Sequence, residues 1–155
     1  MIKGCDVSHW NSIVNYAKYA FCIIKATEGV RFKDVKKDTH ARNAKAFNCE
    51  IGFYHYARPE LGNTPETEAR FFLDNIKPYI GSCVMALDWE QKALNCDITW
   101  ARRWLDYVYN KTGVRPLFYC QASYTNKIQL IREGNYGLWV AQYNNKIQKP
   151  KVKDN

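Results

Sequence analysis

The sequence lacks the long apolar segments that membrane proteins and secretory precursors carry. None of its apolar runs approaches the ~20 residues that a membrane helix needs. The first ten residues, MIKGCDVSHW, have no long apolar core of the kind that signal peptides contain. We therefore expect a chain that does not insert into a membrane and that carries no signal peptide in the printed sequence.

Motifs that bind a nucleotide cofactor or a metal ion are also absent. The chain has no glycine-rich phosphate loop, no dinucleotide fingerprint and no G-x-S-x-G nucleophile turn. Its six cysteines form no C-x-x-C pair and have no neighbouring His at metal-ligand spacing. Most of them lie in apolar runs, which favours buried free thiols, although an even count leaves disulfides open. We expect no cofactor and no bound metal.

Acidic residues are outnumbered by basic ones. The 23 Lys and Arg against 15 Asp and Glu give a formal net charge of +8. Such a surface attracts polyanions, including nucleic acid, acidic lipids and the anionic polymers of a cell wall. The basic residues are scattered instead of being concentrated on one predicted element, and this argues against specific nucleic-acid binding.

Short apolar runs alternate with helical patterns along the chain. The runs are rich in β-branched and aromatic residues and predict strands at Ile2–Val7, Phe21–Ala26, Ile51–Tyr56, Ser82–Glu90, Leu117–Gln121 and Gly137–Tyr143. Spacing and capping residues predict helices at Ser12–Tyr19, Asp34–Phe47, Thr64–Ile76, Thr99–Lys111 and Ser123–Arg132. This order indicates one α/β domain with a parallel sheet, either a barrel or an open doubly wound sheet. In both folds, loops at the carboxyl ends of the strands form the site.

Three carboxylates lie at predicted strand ends. Asp6 is near the end of the first strand, while Asp88 and Glu90 close the fourth in VMALDWEQ. Residues i and i+2 of a strand share a face and have Cα atoms about 6.5 to 7 Å apart. Two carboxyl groups at that distance, at the partly desolvated opening of a site, separate their pKa values, so that one is protonated while the other is ionised. Glycoside hydrolysis requires such a pair of one acid and one carboxylate. The alternative is that these groups only pair with Lys25 or Arg58, or cap the next helix.

Aromatic residues cluster at the same predicted strand ends. Flat rings stack on pyranose faces, and phenol hydroxyls bind sugar oxygens. Each of these residues alone could belong to the core, but together they outline a saccharide groove: Tyr54, Tyr56, Tyr119, Trp139 and Tyr143. His55, in FYHY, has no nucleophile partner and is predicted to be a hydrogen-bonded structural histidine.

Five segments resemble, in order, those of glycoside hydrolase family 25 lysozymes, the N-acetylmuramidases of the Chalaropsis type. They are GCDVSHWN, FCIIKATEG, GFYHYARP, ALDWE and LWVAQYN. The resemblance implies a modified (β/α) TIM-like barrel with five β/α units and further strands. It also implies hydrolysis of the β-1,4 bond between N-acetylmuramic acid and N-acetylglucosamine in peptidoglycan.

The same resemblance suggests roles for individual residues. By position, Glu90 matches the family's general acid, Asp88 its stabilising or orienting carboxylate, and Asp6 the first-strand aspartate. Tyr56, Tyr119 and Gln142 fall in segments that line the saccharide groove of such enzymes. The implied partners are the glycan chains of bacterial peptidoglycan, with further attraction to anionic wall polymers. A monomer is expected, acting outside the cell after secretion or after release of a phage-encoded enzyme at host lysis.

The chain departs from the family pattern at its C-terminus. It stops after KIQKPKVKDN, where such enzymes continue into further strands. We expect residues 1–155 to be a single catalytic domain that lacks the last barrel strands. Two alternatives remain open: a non-catalytic protein that binds wall glycan, and a chitinase-like glycosidase. Ala86 stands where the chitinase signature D-x-x-D-x-D-x-E has an acid, which disfavours the second.

Overall fold

The computed structural model describes residues 2–143 as a predominantly parallel sheet with helices in its connections. The strands are β1 (Gly4–Val7), β2 (Phe21–Glu28), β3 (Phe32–Lys33), β4 (Glu50–Tyr56), β5 (Val84–Asp88), β6 (Leu117–Gln121) and β7 (Leu138–Ala141). The α-helices are α1 (Lys37–Ala46), α2 (Pro65–Ile76), α3 (Ile98–Thr112) and α4 (Gln129–Glu133). Single 3-10 segments lie at Tyr16–Lys18, Pro59–Leu61, Lys77–Tyr79, Gln91–Asn95 and Ala122–Lys127.

The strands follow the order β1-β2-β4-β5-β6-β7, and every pair along this path is parallel. β3 is a two-residue strand that pairs antiparallel with the end of β2. Within residues 2–143, β1 and β7 are the two edges of a half-barrel, so the predicted α/β barrel-like architecture is confirmed. The predicted C-terminal shortening concerns residues 144–155, which lie outside the described part of the chain.

The two faces of the sheet carry different side chains because a strand alternates them. Phe53 and His55 of β4 project toward the helices, where His55 lies 5.6 Å from the ring of Trp104 and 5.9 Å from that of Phe72. This layer is the hydrophobic core, and both Trp104 and Phe72 are fully buried. The opposite face is left to polar and aromatic residues, and it forms the site described below.

Capping residues set the ends of the two longest helices. Thr64 accepts a hydrogen bond from the backbone N–H of Thr67 at 3.2 Å, and Pro65 occupies the first helical position of α2. Asp97 caps α3 by accepting from the N–H of Thr99 at 2.9 Å. α3 ends at Gly113, whose φ of 72° is in the left-handed region that favours glycine.

Some predicted helices are wrong in extent or type. The helix predicted at Ser12–Tyr19 is only the 3-10 turn Tyr16–Lys18. Ile13 is 95% exposed there, so the segment buries too little apolar surface to offset the cost of nucleating a helix. The helix predicted at Asp34–Phe47 spans only Lys37–Ala46, and the apolar residues near the two predicted ends, Val35 and Phe47, are exposed.

Two further predictions need correction. The helix predicted at Ser123–Arg132 is the 3-10 segment Ala122–Lys127 followed by the short α4. The strand predicted at Ser82–Glu90 spans only Val84–Asp88, because the chain turns into the 3-10 segment Gln91–Asn95. Glu90 therefore lies beyond β5 and not in it.

Two other expectations can be compared with the structure. No helix among residues 2–143 has both the length and the hydropathy needed to cross a bilayer. All six cysteines carry free thiols, and three of them, Cys22, Cys49 and Cys120, are buried.

Candidate active site

A cavity of about 190 Å³ contains all three predicted acids. Seven residues line it: Asp6, Tyr54, Asp88, Glu90, Tyr119, Trp139 and Tyr143. The structure thus brings together the carboxylates of β1 and of the β5 end with four of the six residues predicted to bind substrate. Tyr56 lines an adjoining cavity of about 50 Å³ that also includes Glu90. Gln142 follows β7 and is not among the residues that line either cavity.

The register of the parallel strands explains this convergence. Asp88 lies beside Tyr56 of β4 on one side and Tyr119 of β6 on the other, and Tyr119 lies beside Trp139 of β7. Residues in register on neighbouring strands are about 4.8 Å apart across the sheet. The rings of Tyr119 and Trp139 are 4.7 Å apart at 64°, and those of Tyr54 and Trp139 are 6.4 Å apart at 78°. These rings form an aromatic wall beside the acids.

Glu90 faces the cavity although it lies outside β5. Its backbone is extended (φ −145°, ψ 177°), so the alternation of the strand continues for two more residues. Trp89, between the two acids, is fully buried and packs against Trp100 and Phe118 at 5.8 and 6.5 Å between ring centroids. Trp89 therefore points to the opposite layer from the acids.

Asp88 is the most buried of the three acids. It is 7% exposed, and its Oδ1 has no hydrogen-bond partner among residues 2–143. Burial raises the pKa of Asp88 well above its usual range, and the negative charge of Glu90 acts in the same direction. The positive charge of Lys25 opposes this shift. An uncompensated carboxyl oxygen in a buried position costs folding free energy, so its presence in a cavity points to function.

Glu90 is half-buried and reaches both cavities. Burial raises the pKa of Glu90, Lys25 opposes the shift, and the negative charge of Asp6 adds to it. Asp6 itself is exposed at the β1 edge. A carboxyl group with a raised pKa that remains accessible is suited to donate a proton at a pH where an ordinary Glu is already ionised.

The acids do not form the ion pairs that a purely structural role would require. Lys25 is paired with Glu28 at 2.7 Å, and Arg58 is paired with Glu28 and Glu60 at 2.5 and 2.6 Å. Asp6, Asp88 and Glu90 have no salt bridge within the described residues. The alternative in which the strand-end acids pair with Lys25 or Arg58 is therefore wrong.

Burial also keeps the site tyrosines protonated. It raises the pKa of Tyr54, Tyr56 and Tyr119 above the usual range for a phenol, and the neighbouring carboxylates Asp88 and Glu90 add to the shift. A phenol that stays neutral keeps its O–H as a hydrogen-bond donor. The aromatic wall therefore combines ring faces with hydroxyl donors, which is the combination a sugar requires.

Sequence reasoning missed a role for Lys25. Its side chain is largely buried, and the Nζ atom lies 4.9 Å from the centre of the Tyr56 ring and 5.2 Å from that of Phe32. It is the cation that opposes the pKa shifts of both Asp88 and Glu90. The available signal was a lysine inside the otherwise apolar run FCIIKATEG.

His55 has the structural role that the sequence predicts. It is fully buried, and its ring nitrogens lie 2.8 Å from Thr27 Oγ1 and 2.8 Å from Glu68 Oε2. Both nitrogens are engaged on the helix side of the sheet, away from the acids. Among residues 2–143, no cluster of three or more His, Cys, Asp or Glu side chains could hold a metal ion.

Comparison with known proteins agrees with this fold. The sequence profile of the glycosyl hydrolases family 25 matches residues 5–155. The autolytic lysozyme of Clostridium acetobutylicum is 31% identical over 97% of this chain and 47% of its own length. Lysozyme M1 of Streptomyces globisporus is 35% identical over 48% of this chain and 26% of its own length. The chain thus spans at most about half the length of these curated relatives.

Solved structures share the fold. A family GH25 lysozyme from Aspergillus fumigatus superimposes with a TM-score of 0.79 at 26% identity, over 97% of this chain and 81% of that one. The CTP1L endolysin superimposes with a TM-score of 0.74 at 27% identity, over 100% of this chain and 57% of that one. The profile match extends over nearly the whole sequence, and the conclusion is that this chain belongs to glycosyl hydrolase family 25.

Proposed function

We propose that the chain hydrolyses the β-1,4 bond between N-acetylmuramic acid and N-acetylglucosamine in bacterial peptidoglycan. Family membership supports the reaction class, and the relatives named lysozyme support the substrate. The observation that carries the proposal is the cavity in which two carboxyl groups with raised pKa values meet an aromatic wall. Glycoside hydrolysis needs both elements, an acid and carboxylate pair and a surface that holds a sugar ring.

Glu90 is the general acid in this proposal. Its raised pKa keeps the proton on the carboxyl group at higher pH than an ordinary Glu would, and its half-exposed position lets it reach the glycosidic oxygen. The proton moves from Glu90 to that oxygen as the bond to the anomeric carbon breaks. The leaving sugar departs as an alcohol, and positive charge develops on the anomeric carbon and ring oxygen.

Asp88 acts on that developing charge. Its Oδ1, which has no hydrogen-bond partner among residues 2–143, can accept a hydrogen bond from the N–H of the substrate's acetamido group. Such a bond favours the ionised form of Asp88 and thereby lowers its pKa when substrate binds. The carboxylate then either orients the acetamido oxygen toward the anomeric carbon or stabilises the cation directly. Water then bonds to that carbon and gives its proton to the Glu90 carboxylate, which restores the general acid.

Asp6 and the surface charge have supporting roles. Asp6 lies at the rim, and its negative charge raises the pKa of Glu90, which helps to keep the acid protonated. The net charge of +8 attracts the chain to walls that carry anionic polymers. Since peptidoglycan lies outside the cytoplasmic membrane, the proposed site of action is extracellular, after secretion or after phage-induced lysis. The proposed functional form is a monomer.

The test compares Glu90→Gln with the wild-type chain on purified cell walls. We expect the variant to lose at least about 100-fold in rate, since general acid catalysis contributes that much. Glu50→Gln is the matched control, because Glu50 is exposed at the opposite end of β4. Equal clearing of walls by wild type and Glu90→Gln would remove Glu90 from the mechanism. Tight wall binding with no hydrolysis by the wild type would instead identify a glycan-binding protein, and hydrolysis of chitin alone would identify a chitinase-like enzyme.

The pH profile gives an independent readout. Because the pKa of Glu90 is raised, we expect the alkaline limb of kcat/KM to fall at a pH above the usual range for Glu. An alkaline limb near the ordinary pKa of Glu, about 4.3, would contradict the proposed role of Glu90.

A further inference from the structure

A second hollow lies on the same edge of the sheet, beside the β2–β3 turn. Its volume is about 410 Å³, larger than that of the cavity with the acids. We call it the arginine pocket because Arg31 and Arg58 line it. The lining also includes Glu28, Phe32, Leu61 and Asn63. Asp6, Asp88 and Glu90 do not line it, so it is separate from the active-site cavity.

The charged side chains around the arginine pocket leave it with a net positive charge. Both carboxylate oxygens of Glu28 are engaged, Oε2 by Lys25 and Oε1 by Arg58, and Arg58 also donates to Glu60. These four residues form a network of two cations and two anions with no net charge. Arg31 takes no part in that network and is exposed at the pocket. The guanidinium of Arg31 therefore gives the pocket its net positive charge.

The arginine pocket is connected to the active site. The small cavity of about 50 Å³ shares Arg58 with the arginine pocket and Glu90 with the active-site cavity. A backbone hydrogen bond from Gly29 to Tyr56 joins the end of β2 to β4, and another from Ala57 to Asp88 joins β4 to β5. Two strand spacings separate β2 from β5, a distance of about 10 Å.

The residues that line the arginine pocket favour a peptide ligand over a second sugar. Phe32 and Leu61 give the pocket an apolar part, and the free charge beside it is a guanidinium, which binds carboxylates. Peptidoglycan offers this combination next to the cleaved bond, because each N-acetylmuramic acid can carry a short peptide with alkyl side chains and free carboxylates. An extended peptide covers about 10 Å with three residues.

Resting on the proposed function, we propose that the arginine pocket binds the carboxylate-bearing stem peptide of the glycan strand, with Arg31 as its principal charged contact. The chain would thereby prefer glycan that carries stem peptides over glycan from which they have been removed. Arg58 contributes to the wall of the pocket while it remains held by Glu28 and Glu60.

Binding measurements on a catalytically disabled chain test this proposal independently of activity. The probes are glycan fragments of one length, with stem peptides and after removal of the peptides by an amidase. In the Glu90→Gln background, we expect Arg31→Ala to raise the Kd for stem-bearing fragments roughly three- to tenfold and that for stem-free fragments less than twofold. Arg31→Lys keeps the charge and should recover part of the loss. Arg70→Ala, an exposed arginine on α2 outside the pocket, is the matched control.

Each outcome decides the question. A Kd for stem-bearing fragments that Arg31→Ala leaves unchanged, or equal increases for both fragments, would overturn the peptide assignment. Weakening by Arg70→Ala as large as that by Arg31→Ala would also overturn it, because the effect would then reflect general surface charge. If the wild-type chain hydrolyses neither fragment but Arg31→Ala still shows the peptide-specific loss, the hydrolase proposal fails and the arginine pocket stands.

Discussion

Replacing Asp88 by Asn should stabilise the fold while it removes activity. The structure buries this carboxyl group with one oxygen unpaired, and burial raises its pKa. A group whose pKa is raised on folding binds more protons in the folded state than in the unfolded state. Stability therefore falls as pH rises from the unfolded pKa, about 3.9, through the raised folded pKa. Asn has the same shape and does not ionise, so the variant escapes this loss.

The magnitude follows from the desolvation cost of the ionised carboxylate, which exceeds that of a neutral group in the same buried place by about 1 to 3 kcal/mol. We expect Asp88→Asn to gain about that much in free energy of unfolding at pH 8. For a chain of this size, 1 kcal/mol shifts Tm by about 2 to 4 °C, so the gain corresponds to roughly 2 to 12 °C. At pH 4 most of the difference should vanish, because Asp88 is then protonated in the folded wild type.

Thermal unfolding of both proteins, followed by circular dichroism at several values between pH 4 and pH 8, measures this difference. Asp74→Asn serves as the control, because Asp74 is an exposed carboxylate on α2 and its replacement should leave Tm nearly unchanged at every pH. A gain for Asp88→Asn that is equally large at pH 4 and pH 8, or a loss at pH 8, would refute the argument. The buried charge would then not be the source of the instability.

Two further predictions concern stability away from the acids. Glu68 is fully buried and accepts hydrogen bonds from His55 at 2.8 Å and Asn63 at 2.9 Å. Glu68→Ala should therefore lower the free energy of unfolding, measured in urea, by about 3 to 5 kcal/mol. A decrease below about 1 kcal/mol would contradict this role. Arg103 pairs with Glu66 on the surface through two hydrogen bonds of 3.0 and 2.9 Å. Arg103→Ala should lower the free energy of unfolding by less than about 1 kcal/mol in the same assay, because solvent screens an exposed ion pair. A larger decrease would show that solvent does not screen this pair.

The sequence by itself predicted the fold class and the three acids that meet in the cavity. Alternating short apolar runs and helical spacings are local patterns, and a parallel sheet is the arrangement that buries them. The position of Asp6, Asp88 and Glu90 at strand ends followed from the same patterns, because parallel strands end on one edge. The resemblance of five segments to family 25 lysozymes then identified the reaction class.

Only the tertiary structure decided how those acids differ. Burial separates Asp88 from the exposed Asp6, and it depends on which strands are neighbours, which local spacing does not encode. The extended backbone at Glu90 keeps its side chain at the cavity although the strand ends at Asp88. Lys25, Arg31 and the arginine pocket also became visible only when β2, β4 and β5 lay side by side. Contacts between residues far apart in the chain form these features, so no single stretch of sequence could predict them.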